Sequence, residues 1–330
     1  MKNVLLLGGA GYIGSVASKY LCEKKIKVTV VDNLLFNQKK NNYNKLFKNY
    51  KFINLNINNI KKSLFDNFDN VIILSSVVGD PITKKYPDIS KKINLKYTKK
   101  IINILFEKKY KKIIFVSTCS NYGYLKNKIA NEKTTLSPKS LYALTKVEIE
   151  KYIIKKAKKY NKSEVTILRF ATAFGISDRM RFDLTINQFV RDIYINKFID
   201  VFDPYTWRPY CHVLDFAKIF YILLEKNKIK RKKIEIFNVG NSSNNFNKFM
   251  IIKKIKKYIK NFKIILKPNS VDPRDYKVNF SKIKKIYNFK PKISVERGIK
   301  EILDKLKNKN FISLKKYKDK LGNYKIDKNV

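Results

Sequence analysis

The chain predicts a doubly wound α/β fold: a parallel sheet with helices on both faces, and a smaller α/β unit interleaved toward the C-terminus. Two observations carry this. Short apolar runs alternate with amphipathic helical stretches through the first half of the 330 residues, as a parallel sheet with right-handed crossovers requires. The first apolar run also ends in a glycine-rich turn, Gly8-Gly9-Ala10-Gly11-Tyr12-Ile13-Gly14, that opens a helix.

Each element follows from its pattern. Val4-Leu5-Leu6-Leu7 reads as a buried strand over 3–7. A helix is expected over 12–24 and a second strand over 27–31, ending in Asp32. Gly8 permits the tight turn, Gly11 lets backbone approach a pyrophosphate at the helix N-terminus, and Gly14 allows helix to pack closely on strand. Asp32 lies 18 residues after Gly14, where a carboxylate accepts from ribose hydroxyls and repels a 2′-phosphate. Strand, glycine triplet, helix, strand and acid in that order predict a dinucleotide site that favours NAD over NADP. This makes the fold Rossmann-type.

Further strands are expected over 51–54, 71–74, 112–116 and 164–169, with helices over 91–107 and 139–159. Past about residue 175 the pattern loosens. Helical periodicity returns over 181–195, 213–225 and 295–308, and Ile234–Val239 reads as a strand. The expected division is a dinucleotide-binding unit of 1–170 plus about 211–239, and a second unit of 171–210 and 240–308. Residues 309–330 are polar and lysine-rich, and read as a basic, poorly ordered tail.

Composition excludes several classes. With 44% hydrophobic residues the chain can bury a large core. No apolar run approaches the ~20 residues of a membrane helix. The run Val4–Leu7 leads straight into the turn, so it reads as a strand and not a secretory leader. Cys22, Cys119 and Cys211 have neither paired nor metal-like spacing, and His212 is the sole histidine, so no metal site is expected and a reduced cytoplasmic compartment fits. The net charge is +47, almost all of it lysine spread from Lys2 to Lys328. That spread, with abundant Asn and Ile, reads as a solvated surface, and no specific nucleic-acid partner is expected. The arginines are few: Arg169, Arg179, Arg181, Arg191, Arg208, Arg231, Arg274 and Arg297. Where lysine has replaced dispensable arginine, the survivors mark places that need a planar fork, phosphate clamps among them.

Tyr142 and Lys146 stand at i and i+4, on one helix face. Upstream, Phe115-Val116-Ser117-Thr118-Cys119-Ser120 follows a strand. Tyrosine is a poor base at neutral pH, but a lysine ammonium and a nicotinamide cation beside it favour the phenolate. It could then take a proton from a sugar hydroxyl while the Thr118 hydroxyl holds the same oxygen.

With those residues in place, roughly residues 1–305 resemble the extended short-chain dehydrogenases/reductases, the family of NAD-dependent nucleotide-sugar epimerases and dehydratases. The resemblance implies Tyr142 as base, Lys146 as its partner and ribose ligand, and Thr118 as the third catalytic member. It implies NAD as cofactor, held by Gly8, Gly11, Tyr12, Ile13 and Gly14, by Asp32 and Asn33, and by Asn56 and Ile57. Leu74, Ser75 and Ser76 match a segment lining the cofactor, and Asn94 matches an asparagine near the active site. The substrate implied is a nucleotide-diphosphate sugar, touched by Val78, Thr118, Ser120 and Asn187. Arg208, in Trp207-Arg208-Pro209-Tyr210-Cys211-His212, resembles an arginine that reaches the nucleotide, and Arg274 the second diphosphate clamp. Arg169–Gly175 resembles an Arg-x-x-Asn-x-Tyr-Gly-Pro element, with Ala171 for the asparagine and Ile176 for the proline. The family also implies a homodimer through residues near 93–107 and 141–160, whose apolar Ile101, Leu105 and Ile153 need cover from that bundle or from the sheet.

Family members begin by oxidising sugar carbon 4. Dehydratases carry Asp-Glu directly after the catalytic Thr; Cys119 and Ser120 stand here, which disfavours water loss. Residues 174–184, 32–38 and 77–81 resemble a subgroup from surface-polysaccharide gene clusters, the GDP-heptose 4-dehydrogenases of capsule synthesis. The expectation is therefore a cytoplasmic 4-dehydrogenase or epimerase of a nucleotide sugar, with a GDP-sugar favoured. The alternatives are a 4,6-dehydratase or decarboxylase of the same family, or a non-catalytic member that senses NAD or binds RNA.

Overall fold

In the computed structural model, the described residues are 2–38, 43–160, 163–226, 234–267, 274–308 and 321–326. The chain opens with β1 (Asn3–Leu7), α1 (Tyr12–Glu23), β2 (Lys27–Asp32), β3 (Tyr50–Asn54) and β4 (Asn70–Ile73). Two short helices, α2 (Asp80–Lys85) and α3 (Pro87–Lys91), precede α4 (Thr98–Glu107), β5 (Lys112–Thr118) and β6 (Tyr124–Ala130). Then come α5 (Leu141–Tyr160), β7 (Glu164–Phe170), β8 (Thr172–Phe174), α6 (Thr185–Asn196), β9 (Phe198–Phe202), β10 (Trp207–His212), α7 (Val213–Glu225) and β11 (Ile234–Val239). The remainder is β12 (Asn245–Asn247), α8 (Lys248–Lys256), β13 (Lys263–Lys267), β14 (Asp275–Val278), α9 (Ser281–Tyr287) and α10 (Val295–Lys307).

Seven strands form one parallel sheet in the order β3-β2-β1-β4-β5-β7-β11. The order reverses between β1 and β4, and ligands of doubly wound sheets bind at such a point, beyond the strand C-termini. Both sheet faces are buried, so side chains of one strand feed two cores. Val4 and Leu6 enter one apolar cluster, Leu5 and Leu7 the other. Each of these four side chains is fully buried, which stabilises by about 1.5–3 kcal/mol apiece. Three smaller sheets, β12-β10-β8, β13-β9 and β14-β6, accompany it.

The seven sheet strands coincide with the seven apolar runs. The short strands β6, β8, β9, β10 and β12–β14 were not anticipated; three to seven residues mixing charged and apolar types carry no period long enough to read. Two helices differ in a useful way. The expected 91–107 helix is π-helical over Lys92–Tyr97, and that wide turn holds Asn94 inward. The expected 181–195 helix begins only at Thr185, so Arg179–Asp183 forms a loop instead. Ile101, Leu105 and Ile153 are buried against the chain's own sheet and so call for no second copy to cover them.

One expectation is corrected outright. Residues 321–326, read as part of a disordered tail, pack against the protein: Phe182 N donates to Leu321 O at 2.7 Å, and Ile326 is buried in the second core. Composition hid this because Leu321 and Ile326 stand isolated among polar residues. The rest of 309–330 lies outside the described residues.

Candidate active site

A cavity enclosing about 1550 Å³, its open mouth included, lies at the switch point. The β1–α1 turn forms one wall. Gly8 has φ +81°, and a Cβ there would stand 2.6 Å from Ser75 N. Gly14 is fixed by packing, since its Cβ would meet Gly8 O at 2.4 Å. Gly11 differs. Its backbone is extended (φ −75°, ψ −177°), and a Cβ would touch only Gly8 O, at 3.3 Å. Neither backbone strain nor a severe clash requires glycine at 11. The methyl of an alanine would occupy a cradle that faces the cavity.

Asp32 ends β2 and is held by two backbone donors, Ala10 N to Oδ2 at 3.0 Å and Leu34 N to Oδ1 at 2.8 Å. Asn33, Asn56, Ile57, Tyr12 and Ile13 line the same end. Asn56 also caps the turn after it through Asn58 N. Leu74, Ser75 and Ser76 follow β4 along the cavity, and the buried Ser75 hydroxyl has no partner among the described residues.

On the opposite wall Thr118 ends β5, and Tyr142 and Lys146 come from the first turns of α5. Thr118 and Tyr142 line this wall together, and Thr118 works against the rise in the Tyr142 phenol. Lys146 Nζ donates to Val116 O at 2.9 Å and sits 5.9 Å from the Tyr142 ring centre. Burial lowers the Lys146 ammonium to about 7, with Glu150 working the other way. Burial pushes the Tyr142 phenol above its usual range, and the largest opposing influence is the Arg181 guanidinium. In the protein alone, then, Arg181 and not Lys146 is the cation that most favours the phenolate.

α5 is locked in place by a buried ion pair. Arg169 of β7 bonds Glu150 through Nε and Nη2, the latter at 2.7 Å, and Ser117 and Asn121 also donate to Glu150. The arginine of the Arg-x-x-Asn-like element therefore positions the helix that carries Tyr142.

The structure brings together most of the residues singled out from sequence, with three exceptions. Asn187 is fully buried behind the wall. Its amide donates to Tyr12 Oη at 3.1 Å and Arg181 O at 2.9 Å and accepts from Gly175 N at 3.0 Å. Asn94 spends its amide on Ser76 and Val77, and Arg208 donates to Trp207 O and Arg274 O while stacking on Tyr276. None of the three lines the cavity. Val78, Ser120 and Arg274 do, Ser120 paired to Tyr276 at 3.2 Å and Arg274 ion-paired to Asp80.

Sequence reading missed Arg179, Arg181, Asp80 and Asn323, which also line it. Arg181 pairs with Asp183 and donates to Val78 O at 3.3 Å; Arg179 stacks on Phe36 5.0 Å from its centre. Their signal was present: two of the rare arginines crowd one short loop. His212 is structural, capping α7 through Leu214 N at 3.2 Å and wedged against Gly175. Among the described residues no cluster of three or more His, Cys, Asp or Glu could hold a metal, and no helix is long and apolar enough to cross a membrane.

Fold and site together define a dinucleotide-binding α/β protein with a hydroxyl, tyrosine and lysine gathered on the cavity wall. The chain belongs to the NAD dependent epimerase/dehydratase family, whose model matches residues 4–240. It is 26% identical to a UDP-glucuronate 4-epimerase of Thermodesulfobacterium geofontis over 92% of this chain and 96% of that one. It is equally 26% identical to an ADP-L-glycero-D-manno-heptose-6-epimerase of Brachyspira hyodysenteriae, over 92% and 98%. A UDP-glucuronic acid 4-epimerase variant from Bacillus cereus, solved with a fluorinated UDP-glucuronic acid and NAD, shares the fold. Its TM-score is 0.81 at 21% identity, over 93% of this chain and 99% of that one.

NAD is the cofactor of this family, and the residues present fit it. Gly11, the Ser75 hydroxyl and the Asp32 carboxylate line the same cavity.

Proposed function

We propose that this protein oxidises carbon 4 of a nucleotide-diphosphate sugar, with Tyr142 as base, and returns the 4-epimer or releases the ketone. One observation carries the reading: Thr118, Tyr142 and Lys146 face the same cavity as the glycine turn and Asp32. NAD bound there supplies the hydride acceptor. Tyr142 takes the proton of the carbon 4 hydroxyl, Thr118 orients that oxygen, and Arg181 stabilises the phenolate. Lys146, buried between Val116 O and Tyr142, holds the ribose side of the cofactor and adds its charge to the phenolate when protonated.

The buried guanidiniums of Arg179 and Arg181, with Arg274 at the rim, suit a diphosphate. Burial and Arg181 lower Arg179 to about 10, so an anion entering the cavity relieves a repulsion already present. Dehydration is disfavoured by geometry as well as residue type. The Cys119 thiol donates to Arg169 O at 3.2 Å, is fully buried, and does not line the cavity. The relatives named above act on UDP- and ADP-linked sugars, while the residues at 32–38, 77–81 and 174–184 favour a GDP-sugar in surface-polysaccharide synthesis. A homodimer through α4 and α5 belongs to the same proposal; Leu144 on α5 is half exposed.

The test is the near-ultraviolet absorbance of the NAD-loaded protein on addition of GDP-, UDP-, CDP- and dTDP-sugars. Persistent NADH absorbance marks a dehydrogenase, and transient absorbance with an isomeric product marks an epimerase. Salt-sensitive RNA binding with no reduction by any sugar would overturn the reading in favour of a non-catalytic role.

A further inference from the structure

The segment 321–326 borders the cavity through Asn323 and is anchored on both sides of that residue. Phe182 N donates to Leu321 O at 2.7 Å, and Arg179 Nη2 donates to Gly322 O at 3.1 Å. Ile326 is buried in the apolar cluster that Leu5 and Leu7 also enter. Each contact ties the segment to the 179–183 loop or to the sheet core.

Between these anchors Asn323 lines the cavity. Its Nδ2 donates to Val78 O at 2.7 Å, the carbonyl that also accepts from Arg181 Nη2 at 3.3 Å. Val78 follows Val77, whose backbone bonds Asn94, and Asn94 Nδ2 reaches Thr145 of α5 at 3.4 Å, so Asn323 lies toward the helix that carries Tyr142. With the nitrogen committed to Val78, Oδ1 is the carboxamide atom left to accept. An acceptor on that side of the cavity suits a sugar hydroxyl.

We propose that the C-terminal segment is a working wall of the site and that Asn323 Oδ1 accepts a hydrogen bond from a hydroxyl of the substrate sugar. This rests on the reading of the cavity as a nucleotide-sugar site. It extends that reading to a residue beyond the region matched by the family model, and makes sugar selection depend on the last residues of the chain.

The experiment uses the full-length protein loaded with NAD and, as probe, whichever panel sugar reduces the cofactor fastest. Asn323→Ala is expected to raise KM for that sugar about tenfold, the loss of one hydrogen bond, with kcat within about threefold and NAD affinity unchanged. Unchanged KM, or NAD affinity falling in parallel, overturns the assignment. Ile326→Lys detaches the segment without touching the cavity. It is expected to raise acrylamide quenching of bound NADH fluorescence at least about twofold, by the same fraction that a removed wall exposes the site. Unchanged quenching overturns the wall. A wild-type protein that oxidises no sugar in the panel overturns the proposed function, while the quenching comparison still decides whether the segment walls the site.

Discussion

Gly11→Ala and Gly14→Ala separate a glycine kept for a ligand from one kept for the fold. At 14 the added methyl lies 2.4 Å from Gly8 O and 2.6 Å from Gly9 Cα, both backbone atoms that cannot swing aside. Overpacking of this kind costs about 1–3 kcal/mol, partly offset by the ~1 kcal/mol that alanine gains over glycine inside α1. At 11 the methyl meets one oxygen at 3.3 Å in a conformation any residue adopts, so stability should change by less than about 1 kcal/mol. The methyl instead fills the cradle facing the cavity. Forcing a cofactor away by the same 1–3 kcal/mol weakens NAD binding by roughly 5- to 150-fold. Calorimetric titration with NAD and thermal unfolding of both variants make the assay. Gly11→Ala should unfold with the wild type and bind NAD poorly. Undiminished NAD affinity in that variant, or a loss of stability matching Gly14→Ala, would refute the reasoning.

Other outcomes follow from the same geometry. Tyr142→Phe should abolish cofactor reduction by any sugar while leaving NAD affinity within about twofold, read by absorbance and titration. Lys146 has a folded value of about 7 against 10.5 for the ordinary side chain, so the unfolded chain binds a proton that the fold rejects. Its cost is full below pH 7 and fades as pH rises toward 10.5. Lys146→Met should therefore stabilise the cofactor-free protein at pH 6 by up to about 5 kcal/mol in urea unfolding, less at pH 9, and an equal gain at both pH values contradicts the assignment. Glu150→Ala leaves Arg169 buried without its carboxylate and should destabilise by about 3–5 kcal/mol, with a loss under 1 in chemical unfolding counting against the ion pair. Arg181→Lys should slow sugar oxidation more than Arg208→Lys, since only Arg181 lines the cavity; equal kcat values would contradict this.

What the sequence showed and what it hid divide along physical lines. The β1–α1 turn, Asp32 and the Tyr142–Lys146 pair were legible because their function demands fixed residue types at fixed local spacing. Asn187 and Arg208 carried equally suggestive motifs, yet their side chains are consumed by Tyr12, Gly175 and the Arg274 backbone, and no local pattern reveals which way a buried amide or fork is spent. Arg181 was visible as a rare arginine, but not as a lining residue of the cavity that also holds Tyr142, 39 residues earlier in the chain. Asn323 was invisible, since its place depends on the packing of residues 321–326 against the 179–183 loop, far away in sequence.

The central claim is oxidation at sugar carbon 4, and the fate of a deuterium placed there tests it most directly. Using the nucleotide sugar that reduces the cofactor fastest, mass spectrometry should find the label in the reduced cofactor, or back at carbon 4 of an epimeric product. A label that never appears in the reduced cofactor at any point of turnover, or that is lost to water, would contradict the account.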